Sequence, residues 1–137
     1  MGRFPEVPDV GRLAGVIGFD PVPSSPVRAF AENVAAVTAT WTTIVTYTVT
    51  ASKTLYLTDF FVYFYQEAAG AEFMVRIQAN GSTIWGSRPR GGGSCSEHLS
   101  TPIKATTAQV LTLQIEHWVG SNKAFQGGML GFEVPVL

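Results

Sequence analysis

The sequence predicts an all-β fold, an antiparallel β-sandwich entered through an extended N-terminal arm. Three observations carry this. Apolar residues alternate with period two in segment after segment from Thr38 onward, turn signals rich in Gly, Asn and Pro separate those segments, and no stretch sustains a long helical period. The 137 residues suit a single domain, and 46% hydrophobic residues can fill a two-layer core.

The arm covers residues 1–37. Pro5, Pro8, Pro21, Pro23 and Pro26, with Gly2, Gly11, Gly15 and Gly18, disfavour a helix or a central strand. Phe4, Val7, Leu13, Ile17 and Phe19 make the stretch more apolar than a freely solvated tail, so it is expected to lie in a groove, on its own domain or a neighbour's. A helical turn or two is expected between Arg28 and Val37.

The sandwich domain is placed at 38–137. In Thr42–Thr50 one face carries Val45, Tyr47 and Val49 and the other is mostly threonine, the pattern of a strand with one wet face. The next strand, from Thr54 to Gln66, contains the run Phe60-Phe61-Val62-Tyr63-Phe64-Tyr65, apolar on both sides. A sandwich sheet needs only one apolar face, so this strand is expected to be covered twice, by its own core and by the arm or another subunit. Tyr56, Phe60 and Phe64 are the residues expected at that second contact.

Phe73, Val75 and Ile77 alternate with Met74, Arg76 and Gln78, and Asn80-Gly81 then predicts a type I′ hairpin returning through Ser82–Trp85. Arg88 to Ser94 is a glycine-rich loop. A short strand ends near Thr101-Pro102. Val110–Trp118 reads as a strand with Leu111, Leu113 and Ile115 in the core and His117 at the rim, and Gly128–Val134 closes the sheet.

The residues for chemistry are few. Cys95, Glu97 and His98 lie together, but a zinc site needs about four ligands and no second pair accompanies them. Glu116 and His117, adjacent on a strand, point to opposite faces. A nucleophile built from Cys95 with His98 or His117 would need a base and an oxyanion hole supplied by the fold, and a buried thiol with two ordinary histidines is the preferred reading. Gly91-Gly92-Gly93 lacks the Gly-Lys-Ser/Thr ending of a phosphate loop. Trp41, Trp85 and Trp118 are expected in the core before they are expected on a sugar-binding platform. The sequence therefore points away from an enzyme and calls for no cofactor or metal.

With a net charge of −1 there is no basic face for nucleic acid, and no apolar run of membrane-spanning length occurs. The N-terminus lacks the continuous apolar stretch of an export signal. Charged residues make up 14%, against roughly 25% in ordinary domains, which favours association with other subunits.

The order of elements from Lys53 onward resembles a jelly roll found among structural proteins of tailed bacteriophages. The matching stretches are Lys53–Thr58, Arg76–Trp85, Thr101–Ala105, Val110–Ile115 and Gly128–Val134. The resemblance covers about the last 85 residues. It implies a non-catalytic virion protein, a capsid decoration (cement) protein that sits as a homotrimer on the capsid exterior and braces the major capsid protein lattice. The alternative it leaves is a receptor- or carbohydrate-binding tail module of the same fold. It carries no family binding residues with it.

Overall fold

A computed structural model describes residues 24–64, 72–87, 90–91 and 93–136. Phe4, Val7, Leu13, Ile17 and Phe19 lie outside the described residues, so the expected docking of the arm lies outside them too.

The strands are β1 (Ser25–Ala36), β2 (Thr42–Thr48), β3 (Lys53–Phe64), β4 (Glu72–Ala79), β5 (Ser82–Gly86), β6 (Arg90–Gly91), β7 (Ser94–Ala105), β8 (Val110–His117) and β9 (Lys123–Pro135). They form two antiparallel sheets. One has the order β1-β9-β3-β7; the other has the order β2-β8-β4-β5, with the two-residue β6 also paired to β4. The pairing is nested: β1 with β9, β2 with β8, β3 with β7 and β4 with β5. With β3 also meeting β9 and β4 also meeting β8, the nested hairpin closes into a two-sheet β-sandwich.

The expected helical turns between Arg28 and Val37 are absent. Residues 28–36 are strand, and the sandwich begins at Ser25, inside the stretch assigned to the arm. Partnership with β9 decides this, because it supplies hydrogen bonds that Pro26 and the small residues of β1 could not organise alone. Val27, Ala29 and Ala31 face inward; a register shift between Ala31 and Val34 then brings Val34 and Ala36 inward instead. Asn33 sits in that shift with a φ of 54°, a left-handed conformation that asparagine tolerates better than most residues.

A second bulge governs β3. Leu55 and Leu57 point into the core, the register shifts between Leu57 and Asp59, and Phe60, Val62 and Phe64 point inward from there on. Across from it, β7 passes from the Leu57–Ile103 pair to the Asp59–His98 pair through the irregular Leu99–Pro102 stretch. Pro102 is tolerated because β7 is an edge strand.

Leu55, Leu57, Phe60, Phe64, Phe73, Ile77, Leu111, Leu113, Ile115, Phe125 and Met129 pack between the sheets. The Asn80-Gly81 hairpin forms as expected, with φ values of 49° and 85°. Asn80 ties it to β8, its Oδ1 accepting from the Val110 amide at 2.8 Å.

Candidate functional site

The outer faces of the two sheets differ in chemistry. On the β2-β8-β4-β5 sheet, Arg76 lies 4.1 Å over the Trp41 ring and donates to Gln114 at 2.7 Å, and Gln114 donates to Thr43 at 2.9 Å. Polar side chains on this face satisfy one another, as on a sheet turned to water.

The outer face of the β1-β9-β3-β7 sheet is aromatic. Register places its outward residues in rows across the strands. Pro26, Phe132, Tyr56 and Lys104 form one row; Arg28, Leu130, Asp59 and His98 the next; Phe30, Gly128, Phe61 and Ser96 a third. Tyr56 stacks on Phe132 with ring centroids 5.4 Å apart. Phe30 and Phe61 meet at 6.0 Å over Gly128, where a Cβ would overlap both rings. Phe30 remains 57% exposed, Tyr63 43% and Phe132 37%, on one face of one sheet. Scattered exposed apolar residues are ordinary, but a contiguous group of rings marks an interaction surface.

A polar row runs through the aromatic face. Asp59 Oδ1 lies 2.7 Å from His98 Nδ1, and the Thr58 hydroxyl donates to Asp59 Oδ2 at 2.7 Å. The Thr58 hydroxyl and then the His98 ring hold the Asp59 carboxyl below its ordinary range, so it stays an anion at neutral pH. Beside this pair is an open recess of about 290 Å³ lined by Asp59, Phe60, Phe61, Ser96, Glu97, His98 and Leu130. That falls at the bottom of the roughly 300–1,000 Å³ typical of small-molecule pockets. Its size suits one side chain of a partner better than a bound metabolite.

Phe60 and Phe64, expected at a subunit contact, are each 1% exposed and lie in the core. Phe60 meets the edge of Trp85 at 4.7 Å, and Phe64 stacks on Phe125 at 4.6 Å. Of the three β3 residues expected outside, Tyr56 alone is there. The bulge is the reason: Tyr56, Phe60 and Phe64 share a face only if the strand runs unbroken. Phe30, Phe61, Leu130 and Phe132 were missed. The alternation of Leu130 and Phe132 with Gly131 and Glu133 was a readable signal for β9, whereas Phe30 lay in a segment read as arm and helical turn.

The candidate catalytic residues do not converge. Cys95 is buried on the core side of β7, while His98 projects from the opposite face. His117 is fully buried, not at the rim. Its Nδ1 accepts from the Val119 amide at 3.3 Å, so Nε2 carries the hydrogen that reaches the Ala36 carbonyl at 2.8 Å. Packed near Phe64 and Phe125, it works as a structural group. Among the described residues, no three of His, Cys, Asp and Glu gather as metal ligands would.

The tryptophans have separate surroundings, Trp41 under Arg76, Trp85 against Phe60 and Trp118 exposed after β8, so they build no common platform. Arg90 and Gly91 pair with Phe73 and Glu72 as β6.

No protein-family model matches the chain, and no curated protein matches it. Among solved structures, one of FLHE is similar, with a TM-score of 0.46 and 10% identity, covering 80% of this chain and 96% of that one. A likeness so distant leaves the role to be argued from the chain's own surface.

Proposed function

We propose that this chain is a non-catalytic assembly protein, a sandwich that holds neighbouring protein subunits together through the outer face of its β1-β9-β3-β7 sheet. The observation that carries the reading is that face: Phe30, Tyr63 and Phe132 exposed beside Tyr56, Phe61 and Leu130, opposite a sheet whose outer surface is polar. Burying apolar area is worth about 25 cal/mol per Å² before association costs, and a preformed rigid sheet keeps those costs low.

The specific setting follows from the phage resemblance. It is a decoration protein on the capsid exterior that braces the major capsid protein lattice. Many copies, each weakly held, would together resist expansion of the shell.

The test is co-sedimentation with shells assembled from the major capsid protein of the same virus. The wild-type chain is expected to pellet with them, and a Phe30→Ser/Phe132→Ser double variant to remain in the supernatant with an unchanged circular dichroism spectrum. Equal binding by both proteins would remove this face from the function, and no binding by either would remove the capsid.

A further inference from the structure

We infer that the aromatic face is the contact between two copies of this chain, related by a two-fold axis along β9. The inference rests on the reading of this face as a protein–protein surface and names what covers it in the free protein, before a shell takes the second copy's place.

The reason is a pattern in the register. β9 lies between β1 and β3, and three successive rows read Pro26–Phe132–Tyr56, Arg28–Leu130–Asp59 and Phe30–Gly128–Phe61. A two-fold along β9 turns a second copy face down onto the first and exchanges β1 with β3. Each outward residue of β1 then meets a complementary one. Arg28 faces the second copy's Asp59, Phe30 faces its Phe61, and the Pro26 ring faces its Tyr56.

Every contact between β1 and β3 occurs twice, as an isologous interface requires. The residues of β9 fall on their own copies, Leu130 on Leu130 and Phe132 on Phe132. Gly128, with no side chain, leaves room over the axis for the rings of both Phe30–Phe61 pairs. An axis along the strands also keeps the two sheets nearly aligned, the common packing of sheet on sheet.

The recess beside Asp59 fits the same arrangement. Asp59 and Glu97 are among its lining residues, and no lysine or arginine is. It opens where the second copy's Arg28 arrives, so a guanidinium would come to rest beside Asp59, the carboxylate of the outward row, which is already held as an anion. Like charges would oppose each other if the same face met itself about an axis across the strands, since Arg28 would then lie over Arg28. The charge pattern therefore selects one axis.

Size sets the strength. Under this axis β1, β9 and β3 overlap and β7 projects beyond the partner, so three strands about 4.8 Å apart and three or four outward rows about 7 Å apart give a footprint of roughly 300–400 Å² per copy. The total of roughly 600–800 Å² lies below that of a standard specific interface, so the dimer is expected to be weak and reversible, not obligate. A two-fold pair takes the place of the trimer that the phage resemblance implies.

Sedimentation velocity on the full chain across a micromolar-to-millimolar range tests this. Wild type is expected to show a concentration-dependent monomer–dimer equilibrium. Arg28→Asp alone or Asp59→Lys alone should weaken it at least about tenfold, and the Arg28→Asp/Asp59→Lys double variant should restore it to within about threefold. Both side chains lie on the outer face, so thermal melts should confirm that all variants fold.

A chain monomeric at every concentration, a trimer, or a dimer that the charge swap does not restore would each overturn the inference. A monomeric chain whose Phe30→Ser/Phe132→Ser variant still loses shell binding would overturn it while leaving the proposed function standing.

Discussion

Tyr47 and Glu133, 86 positions apart, join the two sheets: the phenol of β2 donates to Glu133 Oε2 of β9 at 2.8 Å. The same oxygen accepts from the Thr50 amide at 2.8 Å, and Glu133 is 4% exposed. Burial pushes this carboxyl up, but the Thr50 amide, the Thr50 and Tyr47 hydroxyls and the charge of Lys53 pull harder. They leave it below the ordinary carboxylate range. It is the buried acid that latches one end of the sandwich.

Removing the latch therefore destabilises the fold without touching the aromatic face. Glu133→Ala leaves the Tyr47 hydroxyl and the Thr50 amide short of an acceptor and should cost about 2–4 kcal/mol, while Tyr47→Phe removes one bond and should cost about 1 kcal/mol. Urea unfolding followed by tryptophan fluorescence measures both. Equal, negligible losses would show the latch to be idle.

The pH dependence follows from the same group. A carboxyl lowered in the folded state binds fewer protons there than in the unfolded chain. Its stabilisation is present above the ordinary value of 4.5 and is lost as the pH falls through the lower folded value. Tyr47 acts in the opposite sense. Burial raises its phenol, so its contribution is intact below the ordinary value of 10.0 and is lost as the pH rises through the folded one. Urea midpoints against pH should fall on the acid side, and Glu133→Gln should flatten that limb.

Two glycines of β9 should respond differently to an added methyl group. At Gly131 a Cβ would meet the backbone of Tyr56 and Leu57, which cannot yield without opening the β3–β9 ladder. At Gly128 it would meet the rings of Phe30 and Phe61, and Phe30 is free to swing outward. Gly131→Ala should cost about 2–3 kcal/mol and Gly128→Ala about 1 kcal/mol or less. Thermal melts of the two variants would reverse this order only if β9 can slide past β3.

Phe64 and Phe132 separate core from contact surface. Phe64→Ala empties the space between Phe73 and Phe125 and should cost about 3–5 kcal/mol. Phe132→Ala, at the surface, should leave the unfolding free energy within about 1 kcal/mol of wild type and instead weaken association. Were Phe64 the contact residue, the two results would trade places.

Cys95 is 2% exposed and faces the core, so a thiol reagent should reach it only when the sandwich opens. Labelling in native buffer is expected to be slow and to accelerate with urea in step with unfolding. Rapid stoichiometric labelling of the native chain would contradict this burial.

Much of the fold was legible before any coordinates. The alternation Phe73, Val75, Ile77 and Leu111, Leu113, Ile115 identified the centre of one sheet because a strand's side-chain period is fixed by backbone geometry alone. Asn80-Gly81 specified its turn because few residues tolerate positive φ at both positions. The threonines of β2 likewise announced a wet face.

The candidate site was far less legible. Which side of β3 faces the core depends on one extra residue between Leu57 and Asp59, and no local preference marks that bulge. It exists because β3 must stay in register with β7 and β9 together. Ser25–Ala36 is a strand for a similar reason: its own residues favour an arm, and the edge of β9 overrides them. Alternation and turn chemistry are properties of neighbours along the chain, so the sequence by itself determined the strands and the all-β class. The assembly of Phe30, Phe61, Leu130 and Phe132 into one face is a property of strands far apart in the chain, and only their pairing across the sheet decided it.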